Sequence, residues 1–262
     1  MAEPIIMPRL RLEEFPLSLL ERSCAASLQT RRFTAVVGER RVALHTEAEP
    51  GQLPASGDMA VLLGLFTMYR GGAAETRTLD FALYQLTLVM RQKASGRLSE
   101  RIKNALQAWN RAVYTFESQE LSHGAGKPHT SVFQILETCS QLSDRRWRIQ
   151  WSDPVWYALI QGAWSGFKAD ILFDLAPLPR QLYCFLVSRF RTSAAPVHVE
   201  LLELAFEHLG ISRTVPVYRV LTNIRKACAV LEQVYLKPTT ERLQKRDGKW
   251  HVVFDNPTVA RE

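Results

Sequence analysis

No stretch of this 262-residue sequence is apolar for long enough to span a bilayer: the longest run, Met59 to Tyr69, is roughly half of what a span requires. The opening MAEPIIMPRLRLEEFP does not read as a secretory signal either, because Glu3, Pro4, Pro8 and Arg9 interrupt its short apolar part. A soluble, cytoplasmic protein with no membrane span is expected. The four cysteines (Cys24, Cys139, Cys184 and Cys228) are scattered, with no C-x-x-C pair, which suits buried reduced thiols and argues against zinc. His123 and His129 have no Cys, Asp or Glu at ligand spacing, and no closely paired histidines offer the metal site that strand nicking requires. The loop HGAGKPH lacks a phosphate-binding G-x-x-x-x-G-K-[ST], since Pro128 follows Lys127. No Ser-His-Asp signature or carboxylate pair stands in a recognisable context. Neither an enzyme nor a bound cofactor is expected.

What the sequence does have is positive charge. Its 33 Lys and Arg against 26 Asp and Glu give a net charge of +7, and 47% hydrophobic residues supply a core for one large domain or two small ones. The balance favours an anionic partner, with DNA, RNA and an acidic membrane surface all open. The charge is concentrated in places. In GRLSERIKNALQAWNR, Leu98, Ile102, Ala105, Leu106 and Trp109 recur at helical spacing and form an inner stripe. Between Arg91 and Arg111 stand six Lys or Arg and a single acid, Glu100. Such a face is either merely solvated or laid against phosphate.

The order of elements bears on that choice. An arm over 1–16 is held open by prolines, a helical pattern starts at Leu17, and RRFTAVVGERRVALHTE reads as a hairpin turning near Gly38-Glu39. Asp58 is placed as the N-cap of a helix to about Tyr69, and Thr78 or Asp80 as the cap of a second, with Leu79, Leu83, Leu86 and Met90 on one face. Ser95-Gly96 lead into the basic helix. AVYTFES and SVFQILETCSQ then read as two strands flanking the glycine-rich LSHGAGKPHT, a hairpin whose tip is the expected wing. DRRWRIQW mixes cations and aromatics as single-strand binders do, but its alternation reads first as a strand burying Trp147, Ile149 and Trp151. A helix begins near Asp153-Pro154.

The second half repeats the order. After PRQLYCFLVSRF comes an acidic-faced helix from about Val199 to Leu209, carrying Glu200, Glu203 and Glu207 and stopped by Gly210. A helix around Val220, Ile224, Ala227 and Leu231 follows, with no acid from Ile211 to Leu231. The closing hairpin is read as QVYLKP and WHVVF around a basic turn with an Asp-Gly signal. A shift of about 118 positions lays Leu83 on Leu201, Leu86 on Leu204, Ile102 on Val220, Leu106 on Ile224 and Val113 on Leu231. The expected fold is α+β and helix-rich: two tandem winged helix-turn-helix domains related by an internal pseudo-repeat. The expected limits are an arm at 1–16, a first domain at 17–165 (dimerisation and DNA contacts), a second at 166–256 (sequence-specific DNA binding), and a tail at 257–262.

In that order each basic helix stands third, where a recognition helix belongs. The DNA-binding candidates on the first are Arg97, Arg101, Lys103 and Asn104, with Arg97, Arg101 and Asn104 aimed at base edges. On and before the second they are Arg213, Tyr218, Arg219, Thr222, Arg225 and Lys226, with Arg219 and Thr222 early enough to reach bases. Wing residues Lys245, Arg246 and Lys249 complete the set and, with Arg225 and Lys226, are read as phosphate contacts.

Read together, EEFPLSLL, GQLPASGDMAVLLGLF, GRLSERIKNALQAW, WSDPVWYALIQG and LPRQLYCFL resemble the plasmid replication initiator protein A family over roughly Glu13 to Phe254. The chain departs from that pattern at Ser99, Ala108, Cys184 and Val187. The resemblance implies a non-enzymatic initiator that binds repeated sites at a plasmid origin, opens the DNA and recruits host replication proteins (helicase or its loader). It also implies a homodimer off the origin that represses the protein's own gene, with dimer contacts on the 32–46 hairpin, and a nucleoid- or plasmid-associated location. The alternatives are a dimeric winged-helix repressor on an operator, and an interaction scaffold whose basic faces take acidic partners.

Overall fold

The computed structural model describes residues 16–18, 20, 30–37, 40–49, 52–71, 76–120, 129–143, 145–162, 165–238 and 242–257. Expectations for the arm, for most of the helix starting at Leu17, for the turn at Gly38-Glu39, for the loop around Lys127 and for most of the tail fall outside them; residues 16–18 are not helical.

The first unit begins with α1 (Ser56–Gly71). Asp58 does cap it, but from inside the first turn, where its carboxylate accepts the Ala55 N–H at 2.7 Å. Next comes β3 (Thr78–Ala82), then α2 (Leu83–Val89) and α3 (Gly96–Arg111). The hairpin β6 (Leu136–Ser143) and β7 (Arg146–Trp151) closes the unit in a sheet of order β3-β7-β6, and α4 (Asp153–Ile160) follows. Gly64 of α1 lets α2 come close: a Cβ there would lie 2.7 Å from Leu86 Cδ1 and 3.0 Å from Met90 Cγ. Ser95 caps α3 by accepting the Leu98 N–H at 3.2 Å, and the helix buries the stripe its periodicity defines, Leu98, Ile102, Ala105, Leu106 and Trp109. The Trp109 indole donates to the Asp58 carbonyl at 2.9 Å, which fixes α3 against the start of α1.

The second unit starts with α5 (Ala169–Asp174), followed by α6 (Pro177–Thr192) and β8 (Val197–Glu200). α7 (Leu201–Glu203), continued by a π-helical turn (Leu204–His208), leads to α8 (Val217–Glu232), and β9 (Leu243–Arg246) and β10 (Lys249–Phe254) form the hairpin. The sheet order is β8-β10-β9, so in each unit the strand before the second helix pairs with the last strand of the hairpin. α8 buries Val220, Ile224, Ala227, Cys228 and Leu231.

A third sheet lies outside both units. β1 (Thr30–Val37), β2 (Arg40–Glu47), β4 (Val113–Glu120) and β5 (His129–Gln134) form it in that order, antiparallel throughout. Alternation places Phe33, Leu44, Tyr114, Phe116 and Phe133 on its buried face, where Tyr114 stacks on Trp109 and Phe133 and donates its hydroxyl to the Leu17 carbonyl at 3.0 Å. Buried residues of all three parts join in one core.

Several sequence expectations are corrected here. Thr78–Ala82 is strand, not the start of a helix: it pairs with β7, and Arg148 grips Asp80 with two hydrogen bonds of 2.7 Å. Val197–Glu200 is likewise strand, paired with β10. Such short segments take their conformation from non-local pairing rather than from their own propensity. The expected acidic face does not form either, because Glu207 is buried and takes the Thr34 N–H at 2.7 Å and the Arg213 guanidinium. β4 and β5 do form a hairpin, but it pairs onto β2 and is not the wing. SVFQILETCSQ is divided at Ile135 between two sheets, and the wing is β6–β7. QVYLKP is not strand; β9 begins at Leu243. The shift that lays Val113 on Leu231 thus joins a strand to a helix there, although the other four pairs match buried positions.

Candidate nucleic-acid interface

Each unit places its basic helix third and leaves that helix's outer face open. On α3 the spacing puts Arg97, Glu100, Asn104, Gln107 and Arg111 along one ridge opposite the buried stripe, and all five are exposed. Of the residues expected on this helix, Arg97 and Asn104 lie on the ridge. Lys103 stands at its edge, half-buried and 2.8 Å from Glu100. Arg101 is exposed but leans toward α1, with its guanidinium 3.2 Å from the place of a Cβ on Gly57. Sequence reasoning passed over Glu100, Gln107 and Arg111, although the spacing that marks the inner stripe also marks the outer one.

The first wing includes the strand that the alternation of DRRWRIQW implies. Its tip lies between Ser143 and Arg146, with Arg145 and Arg146 exposed, and β7 alternates exposed Arg146 and Arg148 with buried Trp147, Ile149 and Trp151. Arg148 is held to Asp80, while Arg145 and Arg146, toward the tip, have no ion pair among the described residues. The same contact sets the carboxyl of Asp80 below its ordinary range, through the hydrogen bonds from Arg148. The basic wing tip expected on the loop around Lys127 falls outside the described residues.

On α8, Tyr218, Arg219, Thr222, Arg225 and Lys226 are all exposed, and none has an acidic partner among the described residues. Arg213, on the turn before α8, is engaged by buried Glu207 and lies over the Phe206 ring at 5.5 Å. The second wing turns at Asp247 (φ 48°) and Gly248 (φ 78°), the two-residue turn that the Asp-Gly signal implies. It exposes Lys245, Arg246 and Lys249. Lys249 is paired with Glu200 at 2.9 Å, which raises the lysine's pKa. The structure therefore brings Tyr218, Arg219, Thr222, Arg225 and Lys226 onto one free helix, with Lys245 and Arg246 on the neighbouring hairpin. It holds Arg213, Lys249 and Lys103 to acids.

This arrangement defines a protein of two winged-helix-like units with an additional antiparallel sheet. The same architecture occurs in solved structures of domains 2 and 3 of RctB. One superposes with a TM-score of 0.63 at 14% identity, covering 96% of this chain and 99% of that one. A second, of RctB residues 155–483, gives 0.61 at 13% identity over 93% and 96% of the two chains. No protein-family model matches the sequence, and no curated protein matches it. No helix among the described residues is long and apolar enough to cross a membrane.

Proposed function

We propose that this chain is a sequence-specific double-stranded DNA-binding replication initiator, which binds repeated sites at a plasmid or plasmid-like origin and promotes its opening. The observation that carries the reading is the duplication of one device in one chain: a third helix with an open basic face beside a hairpin with a basic tip. A single reading head suits an operator half-site; two in one chain suit a long asymmetric repeat. The likeness to domains 2 and 3 of RctB supports the fold on which this rests, and the resemblance of the sequence to plasmid replication initiator protein A supplies the origin and the plasmid. The matched strand order and the shared buried positions Leu83 and Leu201, Leu86 and Leu204, Ile102 and Val220, and Leu106 and Ile224 support reading the two units as an internal repeat.

On this reading Arg97, Asn104 and Arg219 contact base edges, while Arg225, Lys226, Lys245, Arg246 and the newly placed Arg145 and Arg146 contact phosphate. The protein acts by binding and has no catalysis of its own. Its dimer, formed off the origin, and its host helicase or loader are further parts of the proposal. The test is selection from a random duplex library with wild type, Arg97→Ala and Arg219→Ala. A repeated motif that the two variants degrade at separate positions, with protection of about two helical turns per protein and strand opening on a supercoiled plasmid carrying it, supports the reading. Protection of about one turn per protomer favours the dimeric repressor instead. Retention without any motif refers the charge to an acidic-partner scaffold.

A further inference from the structure

The two third helices present different chemistry. The ridge of α3 is polar throughout: Arg97, Glu100, Asn104, Gln107 and Arg111. On α8 the equivalent line, opposite Val220, Ile224, Ala227 and Leu231, is formed by Tyr218, Thr222, Arg225 and Ala229, all exposed. Arg225 is its one charged member, and Arg219 and Lys226 stand beside it. Tyr218 is 64% exposed, an aromatic ring projecting from the first turn of the helix. The Thr222 hydroxyl donates to the Tyr218 carbonyl at 2.9 Å, so its proton is already committed to the backbone. What the line offers a partner is therefore a ring and two methyl groups, with the Arg225 guanidinium between the two methyls.

In a major groove the one apolar group on a base edge is the C5-methyl of thymine, and small apolar side chains and threonine methyls are its ordinary contacts. Resting on the DNA-binding reading above, we propose that α8 selects thymine through its methyl group, by Tyr218 and Thr222 with Ala229 further along. Arg225 and Lys226 hold the helix over the phosphates on either side. The two halves of the site then differ in kind. The α3 half is read by hydrogen bonds to base edges alone, and the α8 half by methyl groups at one or two thymines beside the base contact of Arg219.

The test removes that methyl and nothing else. Two random duplex libraries, one made with thymidine and one with deoxyuridine in its place, are selected with the full chain. Wild type, Thr222→Ser (which keeps the hydroxyl and loses the methyl), Tyr218→Ala and Arg225→Ala are compared. In the thymidine library wild type should recover a motif with thymines at positions that Tyr218→Ala degrades. Replacing those thymines singly by deoxyuridine should weaken wild type by about three- to tenfold. Thr222→Ser or Tyr218→Ala should bring the loss at the affected position within about twofold, and Arg225→Ala should weaken binding while leaving the loss intact. All three substitutions are on the surface, so equal thermal unfolding accompanies the comparison. Equal affinity of wild type for both duplexes, or an equal loss in wild type and both line variants, overturns the thymine proposal while the motif itself stands. No motif from either library overturns the DNA-binding reading beneath it.

Discussion

Replacing Arg225 and Lys226 together by alanine gives a quantitative test of the open face of α8. Both side chains are exposed and neither has an acidic partner among the described residues, so on the reading above each neutralises one phosphate. Each neutralised phosphate contributes about −0.9 to the slope of log K against log salt, so the double variant should lower the magnitude of that slope by about 1.8. Between about 50 and 200 mM salt, wild type should therefore lose about twelvefold more affinity than the variant, whatever the first unit adds to both. Fluorescence anisotropy of a labelled duplex carrying the selected motif, at four or more salt concentrations, measures the two slopes. Glu200→Gln supplies a counterpart: it frees Lys249 from its 2.9 Å ion pair and should steepen the slope by about 0.9. Equal slopes for wild type and the double variant would refute the assignment of these cations to phosphate, however much the affinities themselves differed.

Three further outcomes concern the frame that holds this face. Trp109→Ala removes a fully buried ring and leaves the Asp58 carbonyl without its indole donor, so the stability of the first unit should fall by about 3–5 kcal/mol in chemical denaturation. Gly210→Ala should destabilise by about 1–3 kcal/mol in the same assay, because the residue sits at φ +71° and its new Cβ would meet Pro16 Cβ at 3.0 Å. Asp80 has a lower carboxyl pKa in the folded chain than in the unfolded one, so the unfolded state binds more protons as pH falls through the carboxylate range. The stability that wild type holds over Asp80→Asn should be present at pH 7 and vanish on acidification through the folded value of Asp80. A gap that grows with acid would contradict the contact.

Periodicity and charge carry far in this sequence. The inner stripes of α3 and α8, the alternation of β7 and the Asp-Gly turn are all local: each follows from side chains within one or two turns of one another, and each reads directly from the residues. So does the open basic face of α8, since an amphipathic helix with no acid before its last residue, Glu232, has one way to bury its apolar side. The tertiary structure alone decided the rest. Thr78–Ala82 and Val197–Glu200 carry a helix-compatible pattern but gain sheet partners far away in sequence, and those hydrogen bonds outweigh weak local preference. Which hairpin serves as the wing is likewise a matter of pairing: β4 and β5 find β2, which leaves β6 and β7 for β3. The charge state of the surface also depends on distance in space. Glu207, spaced like a solvent-facing acid, turns inward to the edge of β1 and to Arg213, because an unpaired strand N–H and a nearby guanidinium there both need an acceptor.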